Sequence, residues 1–413
     1  MSNAGTTTIL PEEMGTPLEE SLDHLVENSN TVSLGGGKDV LAPSEQRATE
    51  TEDAQADAIH SHGGHSRKWL KKFFPSEETM DRLFSMEHMG NYVIDRKTGK
   101  KIFETMPIYV RVGMHLLFVS GVSQLSKNCI PGRQHELTRR GKIYDQTGPE
   151  VREHIETFIK TYELPLEELL VKDLDQYPTF NSFFSRRLVP TARPITSPND
   201  PSIVISPADC RMTVFNTVDK AKQLWIKGKQ FTLPSLLTGD DDTETRFAEI
   251  QNDPTAAISI ARLAPQDYHR FHSPVEGVVG DIKDIHGESA YTDNIDILAV
   301  NPQAINEDLN VFTLNKRSVM LIHANFGPGR ESVPIAFVAI GAMLVGSIGW
   351  SKKPGDKVVK GEELGWFQYG GSTTITVFPS KSGVAFDEDL VKNSGNGMET
   401  LVRVGMEIGK VQL

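Results

Sequence analysis

The chain has 413 residues, with 43 Lys+Arg against 55 Asp+Glu and a formal net charge of −12. At 38% hydrophobic and 24% charged it has apolar material for a core, which excludes fully disordered and fibrous chains. So acidic a balance also argues against nucleic acid as a partner, because phosphate binding needs a positive footprint.

Residues 1–66 hold twelve acids and two bases, Lys38 and Arg47, so −10 of the −12 lies there. Rich in Ser, Thr, Gly, Asn and Glu, this stretch reads as an acidic disordered tail. Its start, MSNAGTTTIL, has no basic or apolar leader pattern and no Arg-rich presequence. His60, His62 and His65 in IHSHGGHS lack a fourth ligand at a recognisable spacing, so no metal site is expected. Cys129 and Cys210 are the only cysteines, too few for a disulfide scaffold, and they point to a reducing compartment. The expected location is intracellular, cytoplasmic or peripheral on an endomembrane.

Residues 67–175 read as a helical, membrane-apposed region. RKWLKKFF sets Arg67, Lys68, Lys71 and Lys72 among Trp69, Leu70, Phe73 and Phe74. On a helix this suits an anionic membrane surface, and equally a short helix packing its aromatics on the domain. Ile108 to Leu125 is apolar, but Arg111 and His115 interrupt it. A spanning helix needs about 20 apolar residues, so this segment is expected to be buried or interfacial. Helical spacing continues through 149–173, where Val151, Ile155, Phe158, Ile159 and Tyr162 fall near one face.

Residues 176–413 form the expected core. Beyond about residue 200, short Val/Ile/Phe-rich runs alternate with Gly, Pro, Asn and Asp, the pattern of β-strands and turns. Ile335 to Trp350 is long and apolar, but Gly341, Gly346 and Gly349 cut it, which favours bent strands over a membrane helix. The fold class is α+β, with N-terminal helices before a mainly antiparallel, hybrid-barrel-like β core.

Three motifs carry chemistry. SPADC supplies Asp209 after a Pro-initiated turn, LAPQDYHRFHSP places His269 and His272 three residues apart, and YGGST sets Ser372 behind two glycines. Gly370 and Gly371 leave the carbonyl before Ser372 unshielded. A serine hydroxyl is a weak nucleophile until an imidazole, oriented by a carboxylate, takes its proton. Each motif alone is weak: a GST turn, an SPAD turn and an HxxH pair are common in ordinary loops.

Together and in this order they resemble the phosphatidylserine decarboxylase family, in its eukaryotic non-mitochondrial branch. The resemblance runs from about Tyr177 to the C-terminus. It rests on YPTFNSFFSRRLVPTARPI, SPADCRM, WIKGKQFTLPSLL, LAPQDYHRFHSPVEG, VAIGAMLVGSI and KPGDKVVKGEELGWFQYGGSTTITVF. It implies a proenzyme that cleaves itself between Gly371 and Ser372, leaving chains of 371 and 42 residues that stay together as a heterodimer. Ser372 would be the nucleophile, His272 its base and Asp209 the orienting acid. The new N-terminus would be a covalent pyruvoyl group, an electron sink for loss of CO₂. His269 would be the proton donor, although two histidines three apart could exchange roles. The implied substrate is phosphatidylserine at a membrane surface, the product phosphatidylethanolamine, and a homo-oligomer is compatible.

Arg186, Arg187 and Arg193 could meet phosphate oxygens, but a solvated face is the slightly favoured reading. One alternative is a pyruvoyl enzyme acting on a free aromatic amino acid. Another is non-catalytic: PGDKVVKGEELGWF also resembles hairpins of the biotinyl/lipoyl hybrid barrel, which allows a carrier or lipid-binding module. No lysine sits in a carrier's usual flanking residues; Lys357 and Lys360 lie beside Val358–Val359.

Overall fold

The computed structural model describes residues 90–105, 145–224, 232–239, 245–285, 316–341, 348–368 and 372–412. The amphipathic segments at 67–74 and 108–125, the acidic tail and the predicted scissile glycine Gly371 lie outside them. Contacts divide the chain into two units; the unit containing 92–102 and 129–413 holds the site and is described below.

Its strands are β1 (Gly90–Asp95), β2 (Lys101–Thr105), β3 (Ile203–Ile205), β4 (Cys210–Phe215), β5 (Ala257–Leu263), β6 (Arg270–His272), β7 (Gly277–Ile285), β8 (Arg317–Ala324), β9 (Val333–Gly341), β10 (Ile348–Trp350), β11 (Lys357–Val358), β12 (Glu363–Phe367), β13 (Ser372–Phe378), β14 (Val384–Phe386), β15 (Glu399–Val402) and β16 (Glu407–Val411). The helices are α1 (Glu150–Tyr162), α2 (Phe180–Phe184), α3 (Val218–Leu224), α4 (Leu233–Thr238), α5 (Ala248–Gln251) and α6 (Glu388–Gly395). The class is therefore α+β and mostly antiparallel, as expected. Strands rather than helices occupy 90–105, because Tyr92-Val93-Ile94 and Ile102-Phe103 are short β-favouring runs around a turn closed by Gly99 at φ +68°.

Ten strands pair in the order β11-β7-β8-β9-β13-β5-β4-β15-β1-β2, and two three-stranded sheets, β10-β12-β6 and β14-β16-β3, complete the fold. Among the described strands this order is linear, so the expected barrel-like closure is not defined by it. The two ends of the apolar run Ile335–Trp350 are strands, β9 and β10, as expected, and residues 342–347 between them lie outside the described residues. β13 lies between β5 and β9, which explains its sequence. All seven residues of STTITVF are buried, and five are β-branched, suited to a strand covered on both faces.

Helix α1 follows the expected spacing as far as Tyr162, with Val151, Ile155 and Phe158 buried along one face, but it does not continue to 173: Glu163 turns left-handed at φ +49° and Pro165 follows. Phe158 meets Phe180 and Phe184 of α2 edge-on, with ring centroids 5.3 and 6.2 Å apart. A capping box between Thr179 and Ser182 starts α2 and fixes where its aromatics point. Phe184 then reaches the ring of His269, 3.9 Å away between centroids.

Candidate active site

Strand register brings the three motifs to one end of β4, β5 and β13. Ser372 pairs with Leu263, and Arg211 of β4 pairs with Arg262 of β5, which sets Asp209 just beyond the same end. The chain leaves β5 after Leu263 and reaches His269 six residues later. The His269 carbonyl accepts the Phe367 N–H at 2.9 Å, and Phe367 ends the strand whose loop leads into Ser372. The His272 N–H donates to the Pro207 carbonyl at 2.8 Å, joining the acid loop to the histidine strand.

Ser372 is 3% exposed, and its Oγ has no hydrogen-bond partner among the described residues. That is an expensive state for a buried hydroxyl. It sits at the first position of β13, directly after Tyr369–Gly371, which lie outside the described residues.

The two histidines share a pattern. His272 Nδ1 lies 2.9 Å from the Gly361 carbonyl, and His269 Nδ1 lies 2.9 Å from the Asp267 carbonyl. A carbonyl can only accept, so each ring carries its proton on Nδ1 and presents a lone pair at Nε2. The Nε2 of His272 accepts from the Tyr268 hydroxyl at 3.2 Å. Burial lowers the pKa of both histidines. For His269 it falls to about 3, burial being assisted by the nearby Arg186 and Arg211 cations.

Asp209 is not hydrogen-bonded to His272. Both its oxygens take the Arg193 fork, from Nε at 2.9 Å and from Nη2 at 2.6 Å, and Oδ1 also accepts the Val404 N–H at 2.9 Å. The influence of Asp209 on His272 is therefore electrostatic, and the orienting acceptor is the Gly361 carbonyl. Arg193 also pairs with Glu168 at 2.9 Å.

The solvated-face reading of the arginines holds only for Arg187, whose side chain is 60% exposed. Arg193 is an internal clamp. Arg186 is 4% exposed and donates to the carbonyls of Gln266 and Asp267 at 3.1 and 3.2 Å. It thus shares the Asp267 carbonyl with His269. The Asp267 side chain pairs with Arg211 and accepts the Ala264 N–H at 2.7 Å, tying the loop before His269 to β4.

Tyr268, Gly361 and Asp267 escaped the sequence reading as site residues, and Arg193 was read as a phosphate contact or a solvated side chain and not as the partner of Asp209. Arg193 and Asp267 lay within the quoted motifs, but nothing in their spacing identifies a partner. A backbone carbonyl such as Gly361's leaves no side-chain signature. The nearest signal is the turn itself: Gly361 has φ +81°, and a Cβ there would collide with Ile195 Cδ1.

These features define an α+β protein with a buried serine, two neutral histidines and a clamped acid gathered at one sheet end. A family profile described as phosphatidylserine decarboxylase matches residues 180–410. Phosphatidylserine decarboxylase proenzyme 2 of Komagataella phaffii is 42% identical over 315 residues, covering 76% of this chain and 29% of that protein. The Saccharomyces cerevisiae proenzyme 2 is 38% identical, covering 83% of this chain and 28% of its own length. The Chlamydia muridarum proenzyme is 37% identical, covering 63% of this chain and 78% of its own. The chain belongs to the phosphatidylserine decarboxylase family. It spans less than a third of the two fungal relatives. No helix among the described residues is long and apolar enough to cross a membrane.

Proposed function

We propose that this chain is a self-cleaving decarboxylase acting on phosphatidylserine, with a pyruvoyl group made from Ser372. The observation that carries the proposal is the buried Ser372 Oγ, without a hydrogen-bond partner among the described residues, at the sheet end where His269, His272 and Asp209 gather. Family membership supplies the reaction class.

In the cleavage step His272 Nε2 takes the Ser372 hydroxyl proton, for which the Tyr268 hydroxyl must first give way. The Ser372 oxygen bonds to the Gly371 carbonyl carbon, and the peptide C–N bond breaks to give an ester. Loss of the Ser372 Cα proton then expels Gly371 as a carboxylate. Hydrolysis of the remaining enamine releases ammonia and leaves the ketone. Asp209, fixed by Arg193, supplies negative charge that favours the His272 imidazolium.

The surroundings of Ser372 suit such a group: a buried strand end, preceded by two glycines in sequence, with no side chain among the described residues bonded to its Oγ. Such a group at Ser372 would supply an electrophilic carbonyl for the substrate amine and an electron sink for loss of CO₂. His269 would return a proton to the substrate carbon. With Nδ1–H held by the Asp267 carbonyl, Nε2 is the atom that carries it. Burial disfavours that imidazolium until an anionic substrate stands beside it. Phosphatidylserine brings such charge in its phosphate.

A carrier role gains no support. The Lys360 ammonium is buried and donates to the carbonyls of Ser197 and Asp200 at 2.7 and 2.6 Å, out of reach of a modifying enzyme. The test is CO₂ release measured side by side with phosphatidylserine in mixed micelles and with free aromatic amino acids. Turnover of the lipid alone is expected; turnover of the amino acids alone would overturn the substrate assignment.

A further inference from the structure

The β1–β2 hairpin precedes the residues matched by the family profile, yet its described partners lie beyond Ser372. β1 joins β15 in parallel through Val93↔Glu399, Ile94↔Thr400 and Asp95↔Leu401, and Val93 is fully buried. The Arg96 N–H adds a bond to the Leu401 carbonyl at 3.2 Å.

Arg96 extends this junction to a second element. Its Nε donates to Asp389 Oδ2 at 2.8 Å. Its Nη2 donates to Asp387 Oδ2 at 2.6 Å and Asp389 Oδ1 at 2.9 Å, and its Nη1 to the Glu407 carbonyl. Asp387 is the N-cap residue of α6 and Asp389 lies in its first turn, whereas Glu407 opens β16. One guanidinium thus ties the start of α6 to the start of β16. The side chains of Arg96 and Asp387 are 16% and 26% exposed and that of Asp389 is 50% exposed, so the bond to Asp387 is partly sheltered while those to Asp389 face solvent; all three are charge-assisted. The hairpin turn is prebuilt, because the Asp95 carboxylate accepts the Lys97 N–H and the Thr98 hydroxyl.

We infer that this hairpin is a clamp whose partner is segment 372–413, and that it retains the small chain after the cut; the inference rests on the self-cleavage proposed above. Until cleavage, the Gly371–Ser372 bond holds that segment in place. Afterwards only non-covalent contacts do. β13 is flanked by β5 and β9, but β15 has β4 on one side and β1 on the other. Without the hairpin, β15 becomes an open edge and α6 loses its arginine.

The test uses the full chain, with cleavage followed on denaturing gels and release of the 42-residue chain followed by size exclusion in graded urea. Arg96→Ala is expected to cleave like the parent and to release the small chain about tenfold more at a fixed urea concentration. Asp389→Asn, which removes two carboxylate contacts and leaves Asp387, is expected to fall between them. It stands in for Arg96→Ala should that variant fail to fold. Release curves identical to the parent for the variants that fold would overturn the clamp. A parent chain that never cleaves would instead overturn the self-cleavage reading.

Discussion

Arg193 holds both carboxylate oxygens of Asp209, and Asp209 makes no hydrogen bond to His272. The acid that a serine-histidine site would place on the imidazole is here committed to an arginine, to the Val404 N–H and, through Arg193, to Glu168. The carbonyl of Gly361 orients the ring instead.

Removing the clamp strands a buried carboxylate. Arg193→Gln is expected to cost about 3 kcal/mol in a Ser372→Ala background, where no cleavage complicates unfolding. Self-cleavage in the otherwise unaltered chain should slow more than about tenfold. Arg193→Lys keeps the charge and loses the fork, so it should fall between. Thermal unfolding and gel-resolved cleavage measure the two effects.

Gly361→Ala forces a side chain into a left-handed turn and against Ile195 Cδ1. The expected cost is about 1–3 kcal/mol, with slower cleavage because the carbonyl on His272 Nδ1 is displaced. Ile195→Ala in the same chain relieves the collision and should restore part of the cleavage rate, while the backbone strain at φ +81° remains.

Stability should fall with acid. His269 is neutral in the fold, its pKa about 3 against roughly 6.5 in an unfolded chain, and that of His272 is lowered as well. Below pH ~6.5 the unfolded chain binds protons that the folded one refuses. These contributions are therefore complete above that pH and decline as pH drops toward the folded values, by up to about 1.4 kcal/mol per pH unit for each histidine. Unfolding of the Ser372→Ala chain from pH 8 to 5 should show the decline, and His269→Gln should flatten it.

The two histidines separate by outcome. His272→Ala should leave the chain whole. His269→Ala should permit the cut and lower CO₂ release by at least about 100-fold. The reverse pattern would exchange their roles.

The sequence made the strands after residue 200 and the face of α1 legible, because β-alternation and helical spacing are local signals, and motif order singled out Asp209, His269, His272 and Ser372, which the fold brings to one sheet end. What joins these residues was not legible. Arg193 reaches Asp209 across sixteen positions, and His272 reaches a backbone oxygen 89 positions away. The hairpin at 90–105 was hidden for a related reason: Val93 and Ile94 find their partners at 399–400, and nothing in GNYVID announces them.

Whether the chain cuts itself before Ser372 is decided by the intact mass of the purified protein. Two chains of 371 and 42 residues are expected. The smaller should be blocked at its N-terminus, with a ketone where the serine amino group was, and Ser372→Ala should abolish the split. A single 413-residue chain with an intact Ser372, in a preparation that releases CO₂ from phosphatidylserine, would contradict self-cleavage.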